Sequence, residues 1–143
     1  MILKNKDIIT RMNILNEYGS KRLPQRISYA ITRNVMLLSA IAESYNKELK
    51  KIIDSYKEYY EKDEKGNTKI DSVSGLPVIM SEHSNEFISE VMELLDIEVE
   101  VNPHFIDESL FDYDGEKYDV LSAVDIINLQ KVLCKNDTGS KEE

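Results

Sequence analysis

Residues 24–62, PQRISYAITRNVMLLSAIAESYNKELKKIIDSYKEYYEK, decide the fold. Pro24 stands where a first helical turn tolerates proline, and neither Gly nor Pro follows from Gln25 to Lys62. The run therefore predicts one long α-helix. Val35, Ala42, Leu49 and Tyr56 fall seven apart, and Ile31, Leu38, Tyr45, Ile52 and Tyr59 fall seven apart at the complementary spacing, which is a sustained heptad seam. A second stripe of Ala30, Leu37 and Ile41 widens the apolar face in the amino-terminal half only. That half is expected in the core. The narrower seam beyond it asks for a partner helix.

Length sharpens the expectation. About 39 helical residues span roughly 58 Å at 1.5 Å each, whereas a chain of this size packs to a radius of gyration of roughly 14 to 15 Å. Such a helix must bend, lie along other helices, or pair with another copy. Leu38, Tyr45, Leu49, Ile52, Tyr56 and Tyr59 are the residues expected to form a homo-oligomer interface, because tyrosine suits a partly wet contact. The competing arrangement covers the seam with two shorter helices of the same chain laid end to end.

Working outward, Ile8, Met12 and Leu15 share one face of a short helix over about Lys6 to Tyr18, capped by Asn5 and ended by Gly19. After Asp63-Glu64-Lys65-Gly66-Asn67, the stretches Thr68 to Val73 and Pro77 to Met80 read as a hairpin around Ser74-Gly75. A third helix is expected over about Glu82 to Leu95, with Phe87, Val91 and Leu94 inward and Glu86, Glu90 and Glu93 outward. Ile97-Glu98-Val99-Glu100-Val101 alternates as a half-exposed strand, with His104 to Phe111 as its expected antiparallel neighbour. Ser122 with Asp125 forms a capping box for a last helix to about Leu133, with Val124, Ile127 and Leu133 inward. Residues 135–143 are expected to be a disordered tail. The sum is an α+β, helix-dominated single domain over residues 1–134, with a small antiparallel sheet.

Composition narrows the function. The 143 residues carry a net charge of −9, yet all four arginines lie in the first quarter. Residues 1–35 hold seven basic side chains against Asp7 and Glu17, a net of +5, which leaves −14 on the remainder. An acidic remainder repels a nucleic-acid backbone, so broad DNA binding is not expected. No run approaches the roughly 18 to 20 apolar residues of a membrane span, and the opening MILKNKD does not read as a signal peptide. A single cysteine, Cys134, offers no disulfide framework, so a reducing cytosol is the expected compartment.

The basic group is the expected ligand site. Arg26 and Arg33 share a face of the long helix with Tyr29 between them, while Lys21 and Arg22 precede it. Guanidinium forks beside an aromatic ring and a helix amino terminus suit a phosphate or nucleotide-like ligand. The competing reading pairs these cations with some of the 27 carboxylates. Other constellations are weaker. His83, Glu86 and Glu90 share a helical face without a second His, His104 stands near Asp107 and Glu108, and Asp112 to Glu116 lacks the ligand pattern of a calcium loop. No metal or cofactor is expected. There is no phosphate-binding glycine loop, dinucleotide fingerprint or nucleophile elbow, and the chain is expected not to be an enzyme.

Leu23-Pro24-Gln25-Arg26-Ile27-Ser28-Tyr29 opening the long helix, Lys62 to Asn67 after it, Glu86-Phe87-Ile88, the stretch Leu94 to Val101 and the final helix at Leu121-Ser122 together resemble small acidic phage accessory proteins of Gram-positive hosts. The resemblance implies a phage or prophage setting in a bacterial cytosol. It also implies a binding protein that neutralises a host defence factor, by sequestering a small nucleotide or anionic signal or by occluding a defence protein in the manner of an anti-CRISPR. The alternative is a structural or assembly accessory of a phage particle acting through its long helix.

Overall fold

The computed structural model describes residues 1–135; the expected tail beyond Lys135 lies outside the described residues. The order is β1 (Ile2–Lys4), α1 (Asn5–Tyr18), α2 (Gln25–Ser55), α3 (Ser81–Leu95), β2 (Glu98–Glu100) and α4 (Ala123–Leu133). Short 3-10 turns occupy Lys57–Tyr59 and Glu108–Phe111. Helix dominates, with one long helix, a short amino-terminal one and a two-stranded antiparallel sheet, as the sequence predicts.

α2 is the spine. Every heptad residue from Ile31 to Tyr59 is buried or half-buried. α1 and α4 enclose the amino-terminal half in one core, where Leu38 packs with Ile8, Leu15, Ile27 and Leu129. The second core joins Tyr56 to Phe87 and Val91 of α3, with Leu49, Ile52 and Tyr59 against it. Tyr56 meets Phe87 edge-on at 5.1 Å, and Tyr59 stacks on His83 at 3.7 Å. Of the six residues expected at an intermolecular interface, two are taken up within the chain, and Tyr45, Leu49, Ile52 and Tyr59 are half-buried. Leu38, at 3% exposure, and Tyr56, at 8%, are consumed by the chain's own core, and α1 and α3 cover the seam in tandem.

α2 stops at Ser55, not Lys62. The backbone beyond it is claimed by pairing with later residues: Met80 N–H donates to Tyr59 O at 2.8 Å and Glu61 N–H to Val78 O at 2.8 Å. Lys69 N–H donates to Glu61 O and Val78 N–H to Lys69 O, both at 2.9 Å, so three extended segments bridge one another in a ring. The Tyr60 hydroxyl turns back to donate to Ile53 O at 2.6 Å, satisfying a carbonyl of the last helical turn. The hairpin around Ser74-Gly75 is present as isolated bridges, including Ile70 with Pro77. Gly66 and Gly75, with φ of 82° and 71°, supply the left-handed turns that close the ring.

Three further expectations are corrected. Asn5 does not cap α1. Lys4 occupies that position, and its N–H donates to the Asp7 carboxylate at 3.1 Å, while the buried Asn5 side chain donates to Leu94 O at 2.9 Å and ties α1 to the end of α3. β2 pairs with β1, Leu3 opposite Val99, and not with His104 to Phe111, whose backbone turns into the Glu108–Phe111 helix under an Asp107 cap. In α4 the capping box forms, but Val124 and Ile127 are 65% and 51% exposed, and Leu129, Val132 and Leu133 face inward. The rotation of α4 follows from the burial of Leu129, Val132 and Leu133 in the core and from Tyr18, whose hydroxyl donates to Asp125 at 2.6 Å. With Asp125 turned to α1, the residues four and seven further on follow it inward.

That bond holds the Asp125 carboxyl below its ordinary value, with the Ser122 N–H as the second cause. A lowered native pKa means stabilisation that is complete above the unfolded value and is lost as pH falls through the native one. Tyr18→Phe is expected to lower the urea midpoint at neutral pH. The gap from wild type should persist down to about pH 4 and then narrow, measured by urea titration across the acid range.

Candidate functional site

The start of α2 forms one wall of an open cleft of about 780 Å³. Gln25, Arg26 and Tyr29 line it from the helix, and His104, Phe105, Ile106, Asp107, Ser109 and Leu110 line it from the segment after β2. A second hollow of about 420 Å³ shares Gln25 and Tyr29 and adds Arg22, Ser28, Thr32 and Tyr118. Tyr29 thus stands as a partition between two recesses, each with one arginine. Its ring is 54% exposed and meets His104 edge-on at 5.6 Å.

Buried polar contacts fix the far wall. Asn34 is 1% exposed on α2, and its amide donates to Ala30 O and His104 O while its carbonyl accepts from His104 N–H, each at 2.9 Å. Ile106 N–H donates to Leu133 O at 2.8 Å, anchoring the same segment to the end of α4. On the other side, Arg22 N–H donates to the Asp119 carboxylate at 2.8 Å, and Asp119 N–H returns a bond to Arg22 O at 2.7 Å. The Tyr113 hydroxyl donates to Asp119 O at 2.6 Å, so the loop carrying Tyr118 is clamped over the start of α2.

The five residues expected from sequence divide. Arg26 and Tyr29 line the larger cleft, and Arg22 and Tyr29 the smaller. Lys21 and Arg33 line neither. Lys21 lies toward Asp125 and helps hold that carboxyl low, and Arg33 is exposed further along α2. Among the described residues, none of Lys21, Arg22, Arg26 and Arg33 forms an ion pair within 4.0 Å. The cations that do pair are Lys4 and Lys6 with Asp96, Lys47 with Glu43 and Lys51 with Glu48. The sequence marks His104 and Asp107 only as a weak constellation apart from this site, and Phe105 and Tyr118 not at all, because they come from irregular segments some 75 to 90 residues away and carry no motif.

The electrostatics favour a negative guest at the helix end. Pro24 provides no side-chain cap, so the amino terminus of a 31-residue helix meets the cleft with its dipole uncapped by any carboxylate of its first turn. Asp107 across the cleft is held ionised by the Ser109 hydroxyl and N–H, which lower its pKa. It suits a role as acceptor for a donor group and not as a base. Burial raises the Cys134 thiol, which makes it a poor nucleophile. Among the described residues no three of His, Cys, Asp and Glu converge to hold a metal ion, and no helix is long and apolar enough to cross a membrane.

Comparison of the chain with protein-family models, with curated proteins and with solved structures found no match. Asn34→Ala is expected to strand the His104 N–H and carbonyl, at a cost of about 2 to 4 kcal/mol. Urea denaturation should show the loss, and hydrogen exchange should show the His104 amide losing its protection.

Proposed function

We propose that this chain is a non-catalytic binding protein that captures a small anion carrying a planar ring, of nucleotide type, at the Tyr29 partition. One observation carries the reading: Arg22 and Arg26 flank an exposed tyrosine ring at an uncapped helix amino terminus, and neither guanidinium is spent on an ion pair among the described residues. Cations lost to internal pairing would be bland; unpaired forks beside a ring offer bidentate phosphate contacts and a stacking surface. Gln25 and Asp107 supply the polar groups that would read a base or sugar edge.

The resemblance to phage accessory proteins gives this capture a setting, the cytosol of a bacterial host, and a purpose, the removal of a nucleotide signal used in host defence. Titration calorimetry against a panel of mononucleotides, dinucleotides and cyclic dinucleotides tests it. At least one should bind, Arg26→Ala should weaken it by roughly tenfold or more, and Arg33→Ala should leave affinity nearly unchanged. Absence of binding across the panel, or equal losses from both substitutions, overturns the assignment.

A second reading has its own observation. The outward carboxylates Glu86, Glu90 and Glu93 of α3, with Glu98 and Glu100 of β2, are all exposed, and the one ion-pair partner among the described residues is His83, 3.9 Å from Glu86. Such a face fits the basic groove of a defence protein. A complex of that kind should weaken steeply between low and high salt, read by surface plasmon resonance, and a salt-insensitive affinity would count against it.

A further inference from the structure

The side of α2 turned away from both cores carries a second heptad stripe. Tyr29, Arg33, Met36, Ala40, Glu43 and Lys47 follow one another at alternating spacings of four and three, and all six are exposed. Met36 is 69% exposed, and no described residue covers it. The stripe mixes aromatic, apolar, small and oppositely charged groups in an order with an internal symmetry. Read from either end about its midpoint, Tyr29 is matched with Lys47, Arg33 with Glu43, and Met36 with Ala40.

We propose that this crest is the contact surface for a second copy of the chain, whose α2 lies antiparallel to it across a twofold axis between Met36 and Ala40. An isologous contact requires a patch complementary to itself reversed, and this stripe is so. Met36 of each copy fills the space left by Ala40 of the partner subunit. Arg33 meets Glu43 of the partner subunit, twice by symmetry, and Tyr29 presents its ring to Lys47 of the partner subunit. Within one copy Glu43 and Lys47 pair at 3.3 Å with both side chains largely exposed, which leaves the carboxylate open to a second cation.

The charges also select against the other arrangements. Parallel pairing in register would oppose Arg33 to Arg33 and Glu43 to Glu43. A shift of one heptad in one direction would oppose Arg33 to Lys50; in the other it would pair Arg26 with Glu43, but set Arg33 against Met36 and carry Lys47 past Gln25, the first residue of the helix. The contact ends where the next pair outward, Arg26 and Lys50, becomes like-charged. Its length, from Tyr29 to Lys47, is about 27 Å, which places it at the small end of specific interfaces, near roughly 1,200 Å² in total.

Sedimentation equilibrium of the full chain, from low to high micromolar concentration, tests the pairing without any ligand. The weight-average mass should rise from monomer toward dimer. Arg33→Glu and Glu43→Arg should each raise the dissociation constant by roughly tenfold or more, and the Arg33→Glu/Glu43→Arg double variant should restore it. Helical content by circular dichroism should be unchanged in all three, because both positions are exposed. A wild type that stays monomeric, single variants that dimerise like wild type, or a double variant that does not recover would overturn the proposal. None of these outcomes depends on nucleotide binding, which Arg26→Ala probes separately.

Discussion

Burial of the α2 seam is the constraint on which the rest of this structure depends. A 31-residue helix is far longer than either helix that packs on its seam, and each large seam residue left in water would forfeit about 1.5 to 3 kcal/mol. The chain meets that demand by covering the seam in two lengths. α1 takes the half with Ile31 and Leu38, and α3 takes the half with Tyr56 and Tyr59. The Asn5 side chain, bonded to Leu94 O at 2.9 Å, ties the start of one covering helix to the end of the other. The short sheet does the same work beside it, since β1 leads into α1 and β2 follows α3.

Covering the seam determines where α2 is free. Its start meets the segments after β2, and there a buried asparagine fixes the distance beside the apolar contacts of Ile106, Leu110 and Phe111 with the core. Asn34 spends its amide and carbonyl on His104 and Ala30, so the His104–Leu110 wall stands at a set separation from Arg26 and Tyr29. A buried amide with every polar atom satisfied is a stiff spacer, because moving either partner strands a group in a medium that cannot solvate it. The cleft is therefore a consequence of how the spine is held, with its cations left outside the internal ion-pair network.

The acid–base character of the molecule follows the same geometry. Carboxylates with defined partners sit at joints: Asp125 under the Tyr18 hydroxyl between α4 and α1, Asp119 clamped on the Arg22 backbone, Asp7 at the entry to α1. Among the described residues, those on α3 and β2 that face outward have no such partner apart from Glu86 and Glu90; the Glu90 carboxylate and burial push the Tyr56 hydroxyl up to about 12. The acidic surplus of the chain is thus mostly a surface property, which governs what may approach and leaves the core alone.

Sequence alone determined the helix count, the spine, the inward faces of α1 and α3, the capping box at Ser122 and the turn glycines, because periodicity, caps and positive-φ turns are local and each is written within a few residues. It also marked Arg22, Arg26 and Tyr29. Tertiary structure decided the rest. Nothing between Tyr56 and Lys62 breaks a helix locally, and α2 ends at Ser55 only because residues 59–61 find hydrogen-bond partners near Val78 and Met80. Val124 and Ile127 look as apolar as Leu129 and Val132, and only the packing of the latter pair into the core, together with the Tyr18–Asp125 bond, turns one pair out and the other in. The partners of Tyr29, His104 and Phe105, come from a segment without regular periodicity, placed by Asn34 across 70 residues. A heptad seam announces that a helix must be covered; only the folded chain determines what covers it, because that depends on which distant surface can be brought to it at least cost.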